Sequence, residues 1–159
     1  MPGAISYRTA KDGDQVDILR VIRASFAEYQ GKLDPPSSAH HKTPEDVQNE
    51  LSRATAILAV AGTEAVGCVF YRATGNYVYL YRLAVVPNWR KHGIGSKLVN
   101  LVEEQTVNQG LHTVRLSVRV ALVDNQIYYE KLGYTFKEYG THTGYTEPTF
   151  MVLEKQLLR

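Results

Sequence analysis

The segment between Tyr77 and Gly110 constrains the fold of this 159-residue chain more than any other part of it. An apolar strand comes first, and an amphipathic helix follows a short basic turn, Arg90-Lys91-His92-Gly93-Ile94-Gly95. Two glycines one residue apart let backbone amides approach an anion, since no Cβ stands in the way. The free N–H groups and the positive dipole end of the following helix favour phosphate. The segment therefore predicts a pyrophosphate site, lined by the basic turn together with Ser96 and Lys97.

The spacing of the glycines separates this turn from two common nucleotide-binding loops. The dinucleotide fingerprint G-x-G-x-x-G needs a third glycine where this chain has Leu98. The P-loop G-x-x-x-x-G-K-[ST] needs lysine before the hydroxyl residue, whereas the chain reads Gly95-Ser96-Lys97. The pattern that remains is R-x-x-G-x-G at the end of a strand.

A second motif follows the next predicted strand, and it reads Asn125-Gln126-Ile127-Tyr128-Tyr129-Glu130-Lys131-Leu132-Gly133-Tyr134. Taken in order, R-x-x-G-x-G and Y-E-K-L-G-Y resemble the two signatures of the GCN5-related N-acetyltransferase superfamily. The order of predicted elements agrees over nearly the whole chain. The resemblance implies an α/β fold in which helices flank a mixed, mostly antiparallel sheet with splayed central strands. It also implies acetyl-CoA as co-substrate, in an ordered ternary complex, and direct transfer of acetyl to a primary amine.

The resemblance further implies roles for individual residues. The backbone of Leu83, Ala84 and Val85, on the splayed strand, is expected to pair with the pantetheine arm. Tyr129 is expected to be the general acid for the leaving thiolate, because tyrosine is protonated at neutral pH and able to donate. Its neighbour Tyr128 is expected to be a core residue.

Two positions depart from the superfamily pattern. Leu122 stands where fuller versions carry an asparagine that contacts the coenzyme, and Asn125 either substitutes for it or only caps the short helix. Ser117 stands where some relatives carry a glutamate base. The base is therefore left open between a water-mediated group, Glu28, the loop 30–42, and none at all for a less basic amine.

Hydrophobic periodicity and turn residues predict the remaining elements. One helix is expected over 14–29, and a second is expected to begin at Pro44 with Thr43 as its N-cap. Between them, paired prolines and small polar residues predict a loop over 30–42. Strands are predicted at 5–8, 55–61, 65–73, 77–86, 114–120, 134–139 and 150–157.

Composition limits the function classes. A net charge of +2, with no basic run interleaved with aromatics, argues against a nucleic-acid partner. The apolar stretches are too short to span a membrane and the first residues lack a signal-peptide pattern, so a cytoplasmic protein is expected. Length and 44% hydrophobic content fit one domain over 1–159. The lone Cys68 is expected to be buried, and the histidines lack ligand spacing, so no metal is expected.

The acceptor is expected to dock between the loop 30–42 and the connection 141–148. A small-molecule amine and a protein amine are both compatible with the sequence, as is a homodimer. The rival interpretation is a non-catalytic acyl-CoA-binding or regulatory module of the same fold, and only the missing base supports it.

Overall fold

A computed structural model describes residues 4–37 and 42–157 of the chain. Positions 38–41 of the expected loop therefore lie outside the described residues. Seven strands are present in these ranges: β1 Ile5–Thr9, β2 Thr55–Ala61, β3 Glu64–Thr74, β4 Tyr77–Val85, β5 Thr113–Arg119, β6 Thr135–Gly140 and β7 Phe150–Gln156. Four α-helices accompany them: α1 Gln15–Phe26, α2 Pro44–Leu51, α3 Ile94–Asn108 and α4 Val123–Lys131.

The strands form one sheet in the order β1-β2-β3-β4-β5-β7-β6. Every neighbouring pair is antiparallel except β4 and β5, which run parallel. These two central strands pair only at Val78 with Val114 and at Tyr79 with Arg115, and then they separate. The predicted mixed, mostly antiparallel sheet with splayed central strands is confirmed.

Alternation along the strands places apolar side chains on both faces of the sheet. On one face α3 covers a core that includes Val78, Leu98 and Val114. On the other face α1 and α2 cover a second core, whose largest buried side chains include Ile18 and Phe70. The second core stops at β4, so no described helix covers β5, β7 and β6 on that face.

Most element boundaries follow the local sequence. The Thr43 hydroxyl accepts from the Asp46 amide at 3.2 Å while the Asp46 carboxylate accepts from the Thr43 amide at 3.0 Å, a capping box that confirms the predicted start of α2. The first helix is shorter than predicted, because its last turn tightens into a 3-10 turn over Ala27–Tyr29, as is frequent at helix ends. In the second core Cys68 is fully buried as expected, and burial raises the pKa of its thiol to about 12.

In the ranges 4–37 and 42–157, no helix is both long and apolar enough to cross a membrane. Over the same ranges, no three histidine, cysteine, aspartate or glutamate side chains group as metal ligands.

Candidate functional site

Strand β4 carries a bulge that the sequence analysis did not predict. Cys68 of β3 pairs with Ala84, but Phe70 pairs with Tyr81, so Arg82 and Leu83 together stand opposite one residue of β3. Arg82 has a φ of 56°, an uncommon left-handed conformation for a residue with a side chain. Such local strain clusters at ligand sites. Here the bulge lies beyond the last β4–β5 pair, where the two strands separate.

The basic turn leads from β4 into α3. A 3-10 turn over Pro87–Trp89 comes first, and Lys91 and Gly93 then adopt positive φ values of 67° and 77°. Gly93 is the N-cap of α3, and no side chain caps the helix. The amides of the first helical turn are therefore available to an anion. The sequence predicted this arrangement because a glycine N-cap provides no side-chain oxygen.

Gly95 lies where α3 and α4 approach each other. An ideal Cβ built at Gly95 would lie 2.8 Å from the Tyr128 hydroxyl oxygen, closer than real Cβ contacts. That hydroxyl is 3.1 Å from the Ser96 Oγ. Glycine at 95 is therefore required by space, whereas glycine at 93 is required by its backbone conformation.

Of the two tyrosines of α4, Tyr129 rather than Tyr128 packs against the core. Tyr129 packs against the α3-side core and lies edge-on to Tyr134, with ring centroids 6.1 Å apart. Tyr128, expected in the core, is only half-buried, and its hydroxyl contacts the start of α3. Burial raises the pKa of Tyr129, with smaller contributions from Tyr128 and Tyr29, so its hydroxyl stays protonated at neutral pH.

A cavity of about 580 Å³ lies between the bulged end of β4, the basic turn and α4, and we call it the larger cavity. Ten of the predicted site residues line it: Leu83, Val85, Arg90, Lys91, Gly93, Ile94, Gly95, Ser96, Asn125 and Tyr129. Ala84 is buried in the opposite core, and the side chains of His92 and Lys97 are exposed outside the lining. The His92 ring folds back on the turn, with Nδ1 2.9 Å from the Arg90 carbonyl oxygen.

Residues at the end of α1 complete the larger cavity, and the sequence analysis missed most of them. Arg90 donates to Glu28 at 2.6 Å and to the Ser25 carbonyl at 2.9 Å, so its guanidinium ties α1 to the basic turn. Tyr29 lines the cavity with Asn125, which lies inside α4 while Leu122 is the N-cap. The capping alternative for Asn125 is therefore not what the structure shows. The two sequence motifs do not indicate that the end of α1 lines this cavity, because that position depends on how α1 packs across the sheet.

A second cavity of about 230 Å³, the smaller cavity, lies on the face of the sheet opposite α3. Its lining comes from β4, β5, β7 and the β6–β7 connection: Tyr79, Ser117, Val118, Arg119, His142 and Phe150. Ser117, at the position where a glutamate base was considered, accepts from the Tyr79 hydroxyl at 3.2 Å. Burial and the nearby Arg119 charge lower the pKa of His142, which favours its neutral form.

Two long connections meet beside the smaller cavity. The Arg119 guanidinium donates to the carbonyls of Pro35 at 2.6 Å and Pro36 at 3.2 Å. The Tyr145 hydroxyl donates to the Asp34 carboxylate in a short hydrogen bond. The described part of loop 30–42 is thereby tied to β5 and to the connection between β6 and β7.

Comparison with known proteins identifies the family of this chain. The sequence model of the Acetyltransferase (GNAT) family matches residues 22–134, which include both motifs and the lining of the larger cavity. A bovine thialysine N-epsilon-acetyltransferase is 32% identical over 127 residues, covering 72% of this chain and 74% of the relative. The chain belongs to the GNAT acetyltransferase family. It is accordingly an acetyl-CoA-dependent N-acetyltransferase.

Other proteins that are similar to this GNAT chain are also N-acetyltransferases. The porcine thialysine N-epsilon-acetyltransferase is 30% identical over 128 residues, covering 72% of this chain and 75% of the relative. Among solved structures, the PaiA N-acetyltransferase of Thermoplasma acidophilum in complex with coenzyme A matches with a TM-score of 0.82 at 22% identity, covering 96% of this chain and 99% of that one. The Escherichia coli ribosomal-protein-S18-alanine N-acetyltransferase matches with a TM-score of 0.73 at 15% identity, covering 97% and 94%. These two likenesses show a shared fold.

The residues of the larger cavity fit coenzyme A. Helix amides without a side-chain cap lie at one end, next to Gly93 and Gly95. At the other end lie Leu83 and Val85, on the bulged part of β4 beyond its last pair with β5. A pyrophosphate group suits the first end, and a chain with amide groups suits the second.

Proposed function

We propose that this GNAT chain transfers acetyl from acetyl-CoA to the primary amine of a small acceptor by direct attack. The observation that carries the proposal is the larger cavity, because it joins uncapped helix amides to an opened strand and to a buried tyrosine hydroxyl. The acceptor would enter from the opposite face of the splayed strands, where the smaller cavity lies.

Three groups of residues would hold the coenzyme. The amides that follow Gly93 would bind the pyrophosphate, helped by the exposed charges of Lys91 and Lys97. The backbone of Leu83–Val85 would pair with the pantetheine amides. Arg90 would act mainly by fixing the turn, since its donors already bind Glu28 and Ser25.

The coenzyme supplies a thioester whose acetyl carbon the amine nitrogen attacks, so that a C–N bond forms, the C–S bond breaks, nitrogen loses a proton and sulfur gains one. Tyr129 would supply the proton that sulfur gains. Its raised pKa keeps the hydroxyl protonated, and the half-buried site limits competition from water. The proton that nitrogen loses is assigned to solvent, because no carboxylate lines the smaller cavity among the described residues.

Two observations support a small acceptor. The relatives that share 32% and 30% identity are named for an amino-acid substrate, thialysine, acetylated on its side-chain nitrogen. The smaller cavity, at about 230 Å³, is below the roughly 300–1,000 Å³ of pockets that hold drug-sized ligands. Both favour a compact amine over a protein chain.

Ligand-dependent melting tests the coenzyme part of the proposal. CoA and acetyl-CoA are expected to raise the melting temperature, because a ligand that binds only the native state stabilises it. NAD and ATP at the same concentration are expected to leave it unchanged, since the glycine spacing matches neither of their loops. Equal shifts with all four ligands would overturn the assignment of the larger cavity.

Turnover tests the transfer itself. Free thiol released from acetyl-CoA is measured against a panel of primary amines, with a secondary-amine and a no-amine control. Amine-dependent thiol release supports the proposal. Tight CoA binding with no release for any primary amine would instead identify a non-catalytic acyl-CoA-binding module.

A further inference from the structure

The smaller cavity contains the positive charge of Arg119, which forms no ion pair with any carboxylate in the described part of the chain. Arg119 is half-buried and lines the cavity, and its two described hydrogen bonds go to carbonyl oxygens rather than to a carboxylate. A guanidinium has five N–H donors, so three remain beyond these two bonds. Within residues 4–37 and 42–157, no carboxylate lies within the 4.0 Å ion-pair distance of Arg119.

The carboxylates of the same region already have partners. Glu154 pairs with Arg115 at 2.7 Å, and Glu50 lies 3.9 Å from the Lys42 ammonium. Asp34 accepts from the Tyr145 hydroxyl. Among the described residues, the hydrogen bonds of Arg119 go to carbonyl oxygens, and a partly buried charge without an ion-pair partner is costly.

Neighbouring groups reinforce this positive character. The neutral form favoured at His142 adds no charge, while the Tyr79 hydroxyl donates to Ser117, whose own hydroxyl is able to donate further. The exposed guanidinium of Arg72 lies 5.9 Å from the Tyr79 ring centroid and, among the described residues, is likewise not ion-paired. A cavity with this lining favours an anion.

The position of Arg119 relates the cavity to the transfer site. Tyr79 of β4 is level with Arg115 of β5, and the strands run parallel. Four residues beyond Arg115 on β5 lies Arg119, and because the bulge adds one residue to β4, the corresponding position across the gap is Ala84, next to Leu83. Paired strands are about 4.8 Å apart, and here the strands have separated beyond that spacing. A molecule held at Arg119 must extend across this gap to reach the strand that lines the larger cavity.

We propose that Arg119 binds a carboxylate of the acceptor, so that the favoured substrate is a small amino acid whose reacting amine is several bonds from its carboxylate. Carboxylate oxygens match the planar donors of a guanidinium, and a charge-assisted hydrogen bond is stronger than a neutral one. The inference rests on the proposed amine acetylation and adds the chemical class of the acceptor. Tyr79 and Ser117 would line the path of its carbon chain.

A matched pair of amines tests the proposal with acetyl-CoA and the full chain. 6-Aminohexanoate and 1-aminohexane have the same chain length and a primary amine, and they differ in the carboxylate. For the wild type, kcat/KM is expected to be at least about tenfold higher for 6-aminohexanoate, as one charge-assisted contact supplies. Equal values for the two amines in the wild type would overturn the proposal.

Three variants separate the carboxylate contact from the structural role of Arg119. Arg119→Gln should bring the two kcat/KM values within about twofold, and Arg119→Lys should retain part of the preference because it keeps the charge. Arg115→Gln removes a charge on the same strand and face that is already paired with Glu154, so the preference should persist. Tyr145→Phe breaks the other loop contact, and it should change both rates together. A preference that survives in Arg119→Gln with normal melting would contradict the proposal.

A binding measurement keeps this test independent of catalysis. Hexanoate carries the carboxylate without the amine, and calorimetry can measure its binding to the CoA complex of wild type and Arg119→Gln. Hexanoate binding that is at least about tenfold weaker in the variant than in the wild type supports the anion site. It does so even if neither amine is acetylated, because absent acetylation would refute only the proposed acetyl transfer. Equal affinity of both proteins for hexanoate would refute the anion site.

Discussion

The two cavities beside the splayed strands are built in different ways. The larger cavity takes most of its lining from two short stretches of chain, 83–96 and 124–129, with a smaller contribution from the end of α1. The smaller cavity takes single residues from β4, β5, β7 and the β6–β7 connection. The first is therefore largely a product of local turn and helix geometry, whereas the second exists only after strands remote in sequence have paired.

The cavities also differ in how they attract charge. The larger cavity offers backbone amides at the start of α3, while its lining arginine, Arg90, is neutralised by Glu28. The smaller cavity offers the guanidinium of Arg119, which has no carboxylate partner among the described residues. Backbone amides suit a group that is bound in every reaction cycle, because they do not depend on a side chain. A side chain such as Arg119 can instead be matched to the acceptor without altering the larger cavity.

The largest expected effect concerns proton donation by Tyr129 in the larger cavity. Tyr129→Phe should lower kcat by roughly ten- to a thousandfold, the range of a positioned proton donor, and leave CoA affinity within a few-fold. The ring would keep its packing against Tyr134, and the hydroxyl has no described hydrogen-bond partner, so the melting temperature should hardly change. Single-turnover kinetics and thermal melting provide the measurements.

Tyr128→Phe is the matched control for this prediction. It removes a hydroxyl from the adjacent position, where the partner is Ser96, and should retain most of the rate. If Tyr129→Phe turns over like the wild type, the thiolate leaves unprotonated or takes its proton from water. The larger cavity would then only bind the coenzyme and would supply no proton donor. The difference in role between the two cavities would be clearer.

A smaller effect is expected at the two glycines of the basic turn. Gly95→Val should weaken CoA binding by roughly ten- to a hundredfold, because its branched side chain would obstruct the approach of an anion to the helix amides, and its Cβ would also lie 2.8 Å from the Tyr128 hydroxyl. Gly93→Ala has no atom within 4 Å of its Cβ, and its cost should be about 1–2 kcal/mol of folding stability from the positive φ. Calorimetric titration with CoA and chemical denaturation measure the two quantities.

The contact between residue 95 and the Tyr128 hydroxyl allows a further test of the difference between Gly95 and Gly93. Gly95→Ala should bind CoA more tightly when combined with Tyr128→Phe than when present alone, since the second change removes the atom that the Cβ meets. If both glycine variants bind CoA normally once folded, the anion site lies elsewhere and the comparison between the cavities fails.

The smallest expected effect is a pH dependence confined to the smaller cavity. The pKa of His142 is lowered in the folded state, so the unfolded chain takes up the proton first as pH falls. The free energy of unfolding should therefore decrease as pH falls through the unfolded value near 6.5, and level off below the folded value. Denaturation curves between pH 7.5 and about 5 should show this modest decrease in the wild type.

His142→Gln is the control, because it removes the titrating group and should have a flatter stability profile in this range. CoA affinity should be similar in the two proteins at each pH, since the larger cavity does not include residue 142. The same profile in both proteins would show that His142 has no net role in the acid sensitivity of this region.

Sequence predicted one cavity far better than the other. The helix start at Gly93, the capping box at Thr43 and the splayed central strands all agree with expectation. The bulge at Arg82 was missed because nothing in an arginine residue indicates a positive φ. Tyr128 was misplaced because adjacent residues of a short helix differ by about 100° in direction, and only packing against α3 decides which one faces the core.

The amino-acid sequence by itself determined the elements and the basic turn, because glycine spacing, capping residues and hydrophobic periodicity act within a few residues. Tertiary structure decided what surrounds them. The pairing of Arg90 with Glu28 spans 62 positions, and the contact of Arg119 with Pro35 spans 84. Contacts at such separations depend on strand register and helix packing, which fix where each charge finds its partner. The guanidinium of Arg90 is therefore neutralised by Glu28 in the larger cavity, whereas that of Arg119 has no carboxylate partner among the described residues of the smaller cavity.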